Sequence, residues 1–338
     1  ATPDRAGIRA TARTAPAPRP RAGRPGRRPA GGGARQGGAC PSVRAHPWAY
    51  RSAAVGPTVA AMEPTRHVRR GRLTFDVHDA GSGPAVLLLH GFPQDATSWR
   101  HVVPRLHEAG LRTIAPDQRG YSPGARPGTR GAYRLEFLAA DALAVLDAAG
   151  VARAHVVGHD WGGGVAWALG WRHPERVASL TVVSTPHPAA MMWSVLRSDQ
   201  ALRSVYMGVF QLPWLPERVL RDRLTDALVG TGLPPATAQH YQERMREPGA
   251  ARGALNWYRA VPLSRQRPRP VTVPTTFVWG QEDPFLGPVA AQRTGHHVHA
   301  DYEFRPVSGG HWLPELAPDV VADAVVRRAR TDGEGSTE

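Results

Sequence analysis

Asp160 stands where a chain of this pattern would place a nucleophile. Residues 156–164 run Val-Val-Gly-His-Asp-Trp-Gly-Gly-Gly. The apolar run 154–157 ends in a glycine-bracketed turn, and helical spacing starts at Val165, Ala166, Ala168 and Leu169. That predicts strand, sharp turn, helix, with Gly158 and Gly162 two residues either side of Asp160. Glycines at those flanks let the backbone turn tightly and let strand and helix approach closely. The spacing matches the Gly-x-Ser-x-Gly elbow, whose middle residue points its nucleophile into a site. A carboxylate there attacks carbon to form an ester, unlike the acyl transfer of serine. Two other uses of a Gly-rich turn fail. A dinucleotide fingerprint needs Gly-x-Gly-x-x-Gly and an acid roughly 20 positions on, and residues 177–184 carry none. A Walker loop needs a lysine, and this chain has no lysine. A purely structural aspartate is the plain alternative.

The surrounding elements must hold that turn. Residues 73–78 alternate as a strand. After Gly81-Ser82-Gly83-Pro84, residues 85–89 form a continuous apolar run, the pattern of a strand buried on both faces, and it ends in His90-Gly91-Phe92-Pro93. A helix is expected over 98–108, a strand over 111–115, a turn-rich loop over 117–122 and a helix over 135–149. Strand 154–157, helix 165–171 and strand 180–183 follow. Strands alternating with helices predict an α/β fold with a doubly wound, mostly parallel sheet. Ligands of such sheets bind beyond the carboxyl ends of the strands. His90, Asp160, Asp283 and His311 all closely follow predicted strands. Between 186 and 270 the alternation stops, and Trp/Tyr-rich helices are expected over 191–210, 216–229, 235–246 and 252–258, an inserted helical cap. Strand 275–279, helix 289–294, strand 302–306 and helix 318–328 complete the sheet. The expected organisation is a core over 62–185 and 271–330, a cap over 186–270 and a frayed polar tail over 331–338.

At 338 residues, 41% hydrophobic and 21% charged, the composition is globular, and no apolar run approaches the roughly 20 residues that span a membrane. The net charge of +14 is unevenly spread: residues 1–61 hold eleven arginines and one aspartate, the remainder 31 basic and 27 acidic residues. This Arg/Pro/Gly/Ala segment lacks hydrophobic periodicity, so it is expected to be disordered, and it has no apolar stretch of a secretory signal. It is read as a low-complexity extension, and Met62 opens the first ordered-looking segment. Cys40, the only cysteine, lies in it, so no disulfide framework forms, which fits a reducing, cytoplasmic compartment. Neither nucleic acid nor a membrane is expected as a partner. The histidine run His296-His297-Val298-His299 lacks nearby acids at metal-site spacing and is expected to be a solvated surface cluster, so no metal is expected. Asp117 and Arg119 are expected to hold a structural turn, and His159 to pack or hydrogen-bond beneath the elbow.

From Met62 to about Arg330 the chain resembles the α/β-hydrolase superfamily, and within it the epoxide hydrolases. The motifs are His90-Gly91-Phe92-Pro93, Gly158-His159-Asp160-Trp161-Gly162, Trp279-Gly280-Gln281-Glu282-Asp283 and Gly309-Gly310-His311-Trp312. Nucleophile, acid and histidine come in the chain order of the elbow family. The resemblance implies that Asp160 opens an epoxide to an alkyl-enzyme ester. It implies that His311 then activates water and that Asp283 fixes the imidazole. By the same analogy the backbone N–H groups of Phe92 and Trp161 form the oxyanion hole, and His90, Pro93, Trp161 and Trp312 contact the substrate. An epoxide leaves as an alkoxide and needs a donor, which in the family comes from two cap tyrosines. Tyr206-Met-Gly-Val-Phe210-Gln211 and Leu255-Asn256-Trp257-Tyr258-Arg259 match their contexts, and a phenol donates while neutral. The implied substrate is a small apolar epoxide with water, with no cofactor; a homodimer is left open.

A haloalkane or haloacid dehalogenase is the nearest rival. It shares Asp, Trp and His but needs N–H donors for halide, commonly Trp161 with a second Trp or an Asn. Phe92, not Asn, follows His90-Gly91. Ser184 and Thr185 stand where one dehalogenase group has its acid, and Trp161 where a fluoroacetate type would have Arg. Asp160 disfavours a serine esterase. A non-catalytic hydrolase-fold receptor would typically have lost one of these residues. One departure from the family is Trp214, where glycine is frequent; it puts the size of the pocket in question.

Overall fold

The computed structural model describes residues 64–264 and 267–334, so the reading of residues 1–61 and of Cys40 lies outside the described residues. Eight strands form one sheet: β1 (Arg66–Arg70), β2 (Leu73–Ala80), β3 (Ala85–Leu89), β4 (Arg112–Pro116), β5 (Ala154–His159), β6 (Val177–Val183), β7 (Thr275–Gly280) and β8 (Tyr302–Val307). Their order is β1-β2-β4-β3-β5-β6-β7-β8, with β1 and β2 antiparallel and every pair from β4 to β8 parallel. This is the doubly wound, mostly parallel sheet expected from the alternation, and the architecture that the resemblance implies. The chain reverses direction of winding between β3 and β5, and Asp160 follows β5 directly.

The continuous apolar run of β3 has a plain cause. Leu87 and Leu89 pack into one core with Val165–Leu169 side chains, while Val86 and Leu88 pack into the other with Leu106, Val321 and Val325. Alternate residues face opposite layers, and both layers are helical. Helices α1 (Val103–Glu108) and α13 (Pro318–Glu334) cover one face; α2 (Leu135–Ala148) and α3 (Trp161–Arg172) cover the other. Each fully buried leucine contributes about 1.5–3 kcal/mol, and all of β5 and β6 is buried.

Among the described residues between β6 and β7 lie seven α-helices: α4 (Pro188–Val195), α5 (Gln200–Arg203), α6 (Val205–Val209), α7 (Leu215–Asp222), α8 (Leu224–Gly230), α9 (Pro235–Arg246) and α10 (Ala250–Ala260). α11 (Pro288–Arg293) and α12 (Leu313–Leu316) follow later strands. Two long helices expected here are broken. Residues 191–210 divide into α4, α5 and α6: Ser198 Oγ donates to Ser194 O and accepts from the Gln200 N–H that opens α5, and Ser204 Oγ accepts from Gln200 Nε2 between α5 and α6. Residues 216–229 divide into α7 and α8 at Arg223. The helix expected over 98–108 is likewise a 3-10 turn (Ala96–Trp99) followed by α1. β1 was not anticipated: Arg-His-Val-Arg-Arg buries only Val68, as suits a charged edge strand. At the other end α13 continues to Glu334, past 331 where fraying was expected. No helix among the described residues is long and apolar enough to cross a membrane.

Candidate active site

The turn between β5 and α3 is sterically forced. Asp160 has φ 48° and ψ −122°, a sparsely populated conformation for an L-residue. A Cβ on Gly162 would lie 2.0 Å from Leu89 O, and one on Gly158 2.3 Å from Gly162 O. The glycines therefore allow α3 to seat against β3 and β5, and that seating holds Asp160 in its strained turn. Thr185 Oγ1 donates to Asp160 O at 2.7 Å, a second restraint from the chain after β6.

Three ionisable groups converge there. His311 Nδ1 lies 2.8 Å from Asp283 Oδ2, and Asp283 Oδ1 accepts from the N–H groups of Phe285 (2.8 Å) and Leu286 (3.0 Å). Asp283 is thus fixed from behind, and Nδ1 carries the proton it donates. His311 Nε2 faces Asp160 Oδ2 at 3.6 Å, while Asp160 Oδ1 accepts from the Phe92 N–H at 2.8 Å. Burial pushes the Asp160 carboxyl up, but His311, His159 and the Phe92 N–H outweigh it and hold it below the usual carboxylate range. Burial also disfavours a charged His311; the charges and hydrogen bonds of Asp283 and Asp160 overcome this and raise it to about 10. The two carboxylates thus favour the protonated form of the imidazole between them.

A cavity of about 230 Å³ opens on this group, walled mostly by apolar side chains. Phe92, Pro93, Asp160, Tyr206, Tyr258, His311 and Trp312 all line it, so seven residues singled out by sequence meet in one place. Asp283 stands behind His311. The Phe92–Pro93 peptide is cis. The Tyr258 ring packs edge-on against Phe92 (5.1 Å) and Trp161 (4.9 Å), and lies 6.0 Å from the Tyr206 ring. Burial, chiefly, raises both phenols above their ordinary value, so both stay protonated. A larger open groove of about 830 Å³, lined by Arg126, Trp214 and Arg259, shares no lining residue with this cavity.

Two expected substrate contacts are corrected. His90 is fully buried and spent on structure: Nδ1 donates to Gly91 O (2.9 Å) and Nε2 accepts from the Gln118 N–H (3.0 Å). The Trp161 side chain turns aside and packs on Trp257 and Tyr258 instead of lining the cavity. Its backbone N–H still opens α3, where helix donors lack intrahelical partners.

His159 does sit beneath the elbow, with Nδ1 2.8 Å from Gln94 Oε1 and Nε2 2.9 Å from His311 O. Asp117 and Arg119 are structural: Arg119 makes two hydrogen bonds to Asp141, and Asp117 accepts from the Ala96 N–H. Asp117 also pairs with Arg244 of α9, tying the inserted helices to the sheet. The histidine run is not uniformly solvated. His297 is half-buried and stacks on His187 at 4.8 Å, while His296 and His299 are exposed. Among the described residues no group of three or more His, Cys, Asp or Glu could hold a metal ion.

Sequence reasoning missed a buried chain behind the site. Tyr241 of α9 donates to Glu315, Gln94 Nε2 reaches Glu315 at 3.4 Å, and Gln94 and His159 lead to the His311 carbonyl. Gln94 directly follows His90-Gly91-Phe92-Pro93 and Glu315 lies four residues past His311, so proximity to motifs was the one available signal. Leu220, Leu224 and Leu228 of the cavity wall carried no signal beyond helical spacing.

The family model for the alpha/beta hydrolase fold matches residues 84–318. The chain is 35% identical over 272 residues to the AB hydrolase superfamily protein YfhM of Bacillus subtilis, covering 77% of this chain and 95% of that protein. It is 35% identical over 257 residues to human epoxide hydrolase 4, covering 70% of each. A solved structure of the novel epoxide hydrolases from metagenomes of hot environments superposes with a TM-score of 0.70 at 27% identity, covering 80% of this chain and 99% of that one. A carboxylate on a strained turn after β5, an aspartate after β7 and a histidine after β8, on this sheet and among these relatives, lead to one assignment: the chain belongs to the alpha/beta hydrolase family, in the branch of its epoxide hydrolases.

Proposed function

We propose that this hydrolase converts an apolar epoxide to a vicinal diol through a covalent ester on Asp160. The observation that carries the reading is the pairing, in one apolar cavity, of a carboxylate on a strained elbow with two protonated tyrosines. Asp160 Oδ2 attacks an epoxide carbon. The ring C–O bond breaks, and the departing oxygen takes a proton from Tyr206 or Tyr258. A phenol held above its ordinary pKa is a donor that stays neutral until the alkoxide forms.

Ester formation removes the negative charge beside His311. The imidazolium then loses the charge and hydrogen bond of Asp160 that helped to raise it, so it can release its proton, which the tyrosinate left by ring opening takes up, and act as a base. Water adds to the ester carbonyl, giving its proton to His311 Nε2, while Asp283 stabilises the imidazolium. The tetrahedral oxyanion meets the N–H groups of Phe92 and Trp161. Collapse breaks the ester C–O bond; the leaving alkoxide takes the proton that His311 holds, completing the diol, and the new Asp160 carboxyl passes its proton to His311, restoring the starting pair. No step calls for a cofactor. The seven inserted helices act as a cap that brings both tyrosines over a site built on the sheet, with the core on either side of it in sequence.

A single turnover in oxygen-18 water tests this. The diol of the first turnover is expected unlabelled, its new oxygen coming from Asp160, and the label is expected in the enzyme. Label directly in the first diol would mean that water attacks the epoxide and the ester mechanism is wrong. Halide release from haloalkanes without diol formation from epoxides would favour the dehalogenase reading instead.

A further inference from the structure

All eleven large hydrophobic side chains that stand exposed among the described residues belong to the stretch between β6 and β7, and nine of them fall within residues 192–219. Leu196 is 79% exposed, Leu202 76%, Trp214 69% and Met192 62%. Exposed apolar residues scattered singly are ordinary, but a concentration of them marks an interaction surface. Their spacing is ordered. Met192 and Leu196, Val205 and Val209, and Leu215 and Val219 are pairs four apart, so each pair shares one side of its helix. The cavity takes Tyr206 and Phe210 of the α6 segment and Leu220 of α7. Helices α6 and α7 are thus apolar toward the cavity and apolar toward the outside.

The charges of the same stretch favour one occupant. Of the four carboxylates in residues 192–226, three are paired, Asp199 with Arg203, Asp222 with Arg218 and Glu217 with Arg259, and Asp226 is exposed without an ion pair among the described residues. Arg197, Arg221 and Arg223 are exposed and have no ion pair among the described residues. The face is therefore apolar with surplus positive charge. A two-fold dimer would set the same patch, and so the same surplus charge, against itself. A bilayer with anionic headgroups matches both features, since apolar side chains enter the acyl boundary while guanidiniums meet phosphates.

We propose that this face docks on an anionic phospholipid surface, lying on it without crossing it. Val219 is 44% exposed and also lines the catalytic cavity, so the face and the cavity are continuous. An apolar epoxide dissolved in lipid would reach Asp160 along that edge; this supply route rests on the proposed function, whereas the docking does not.

The test uses the full chain and its Leu196→Glu/Leu202→Glu variant. Both are sedimented with vesicles of phosphatidylcholine containing phosphatidylglycerol and with vesicles of phosphatidylcholine alone. The parent protein is expected to co-sediment with the anionic vesicles more than with the neutral ones, and the variant to lose roughly tenfold or more of that partition. Both proteins keep the arginine-rich first 61 residues, so their difference reports the patch. Equal partition of the two proteins, or no partition of the parent, overturns the proposal. So does a parent dimer in sedimentation velocity that the variant dissolves, with no vesicle binding, since a second copy would then cover the face. Turnover of a short water-soluble epoxide, measured alongside, is expected to be equal in both. Its absence from both would count against the proposed reaction and leave the partition result standing.

Discussion

His311 and Asp160 face each other 3.6 Å apart in a buried site, and the proposed reaction erases the charge of Asp160. Asp160, held below the ordinary range, stays ionised at mildly acidic pH, so alkylation continues there. His311 in the ester form has lost Asp160 as a counter-charge but keeps Asp283, so acid still protonates it and stops hydrolysis. The alkyl-enzyme is therefore expected to accumulate as pH falls, seen as an enzyme mass increased by one substrate in quenched samples. An ester population that instead grows with rising pH would contradict the role of His311 as base. The tyrosines offer a second check. Tyr206→Phe or Tyr258→Phe leaves one donor, so each is expected to slow alkylation by roughly 10- to 100-fold, and the double variant by roughly 10²–10⁴, the range of a lost general acid. Single-turnover rates measure this directly; a double variant no slower than a single one would remove the tyrosines from the reaction. At this scale the sequence was informative for Asp160, His311 and Asp283, whose convergence follows from their places at the ends of parallel strands. It misled at His90, because a histidine at a strand end reads the same whether its nitrogens face a ligand or, as here, Gly91 and Gln118.

Among the elements, the sheet was legible and the insertion was not. β3, β5 and β6 are buried on both faces, so their residue types alone are diagnostic. β1 was invisible because an edge strand needs only Val68 inside. The segments 191–210 and 216–229 read as single helices because apolar residues recur along them. Half of those residues face outward, so the periodicity did not report the core, and serine turns broke the first segment. The junction before α7 holds a testable irregularity. Trp214 has φ 49° with its side chain 69% exposed, so it carries left-handed strain with little burial to offset it, and glycine adopts that conformation without strain. Trp214→Gly is expected to raise stability by about 1 kcal/mol, read as a higher urea midpoint at unchanged slope. A lower midpoint would mean that contacts of the indole outweigh the strain.

For the whole molecule, buried ionisable groups set the pH dependence of stability. His311, raised to about 10 by its two carboxylates against the effect of burial, stabilises the fold fully below its unfolded value near 6.5. That contribution is lost as pH rises through about 10. Burial raises Asp117, to about 7, and Glu315, to about 6, and they act in the same direction. The native protein holds their protons more tightly than the unfolded chain does. Asp79 and Asp160, lowered in the fold, work oppositely: their stabilisation is present above roughly pH 4 and is lost in acid. Burial works the other way on His90, His159 and His187, held well below the ordinary imidazole value, at about 4, 3 and 3, so acid below about pH 6.5 favours the unfolded chain that can protonate them. Stability is therefore expected to be greatest near neutral pH and to decline between about pH 7 and 10. Urea midpoints across that range test this, and His311→Gln should flatten the decline above pH 7; a midpoint rising with pH would contradict it. The sequence by itself determined the fold class, the tight turn at Asp160 and the placing of Asp160, Asp283 and His311 after successive strands. These are local: strand burial, turn glycines and residue type are recorded in neighbouring residues. Tertiary structure alone decided which histidine faces the cavity, where the Trp161 ring goes, how α9 is tied through Glu315 and Gln94 to the His311 backbone, and which side of α4 to α7 is left uncovered. Those depend on contacts between residues up to hundreds of positions apart, and no spacing along the chain encodes them.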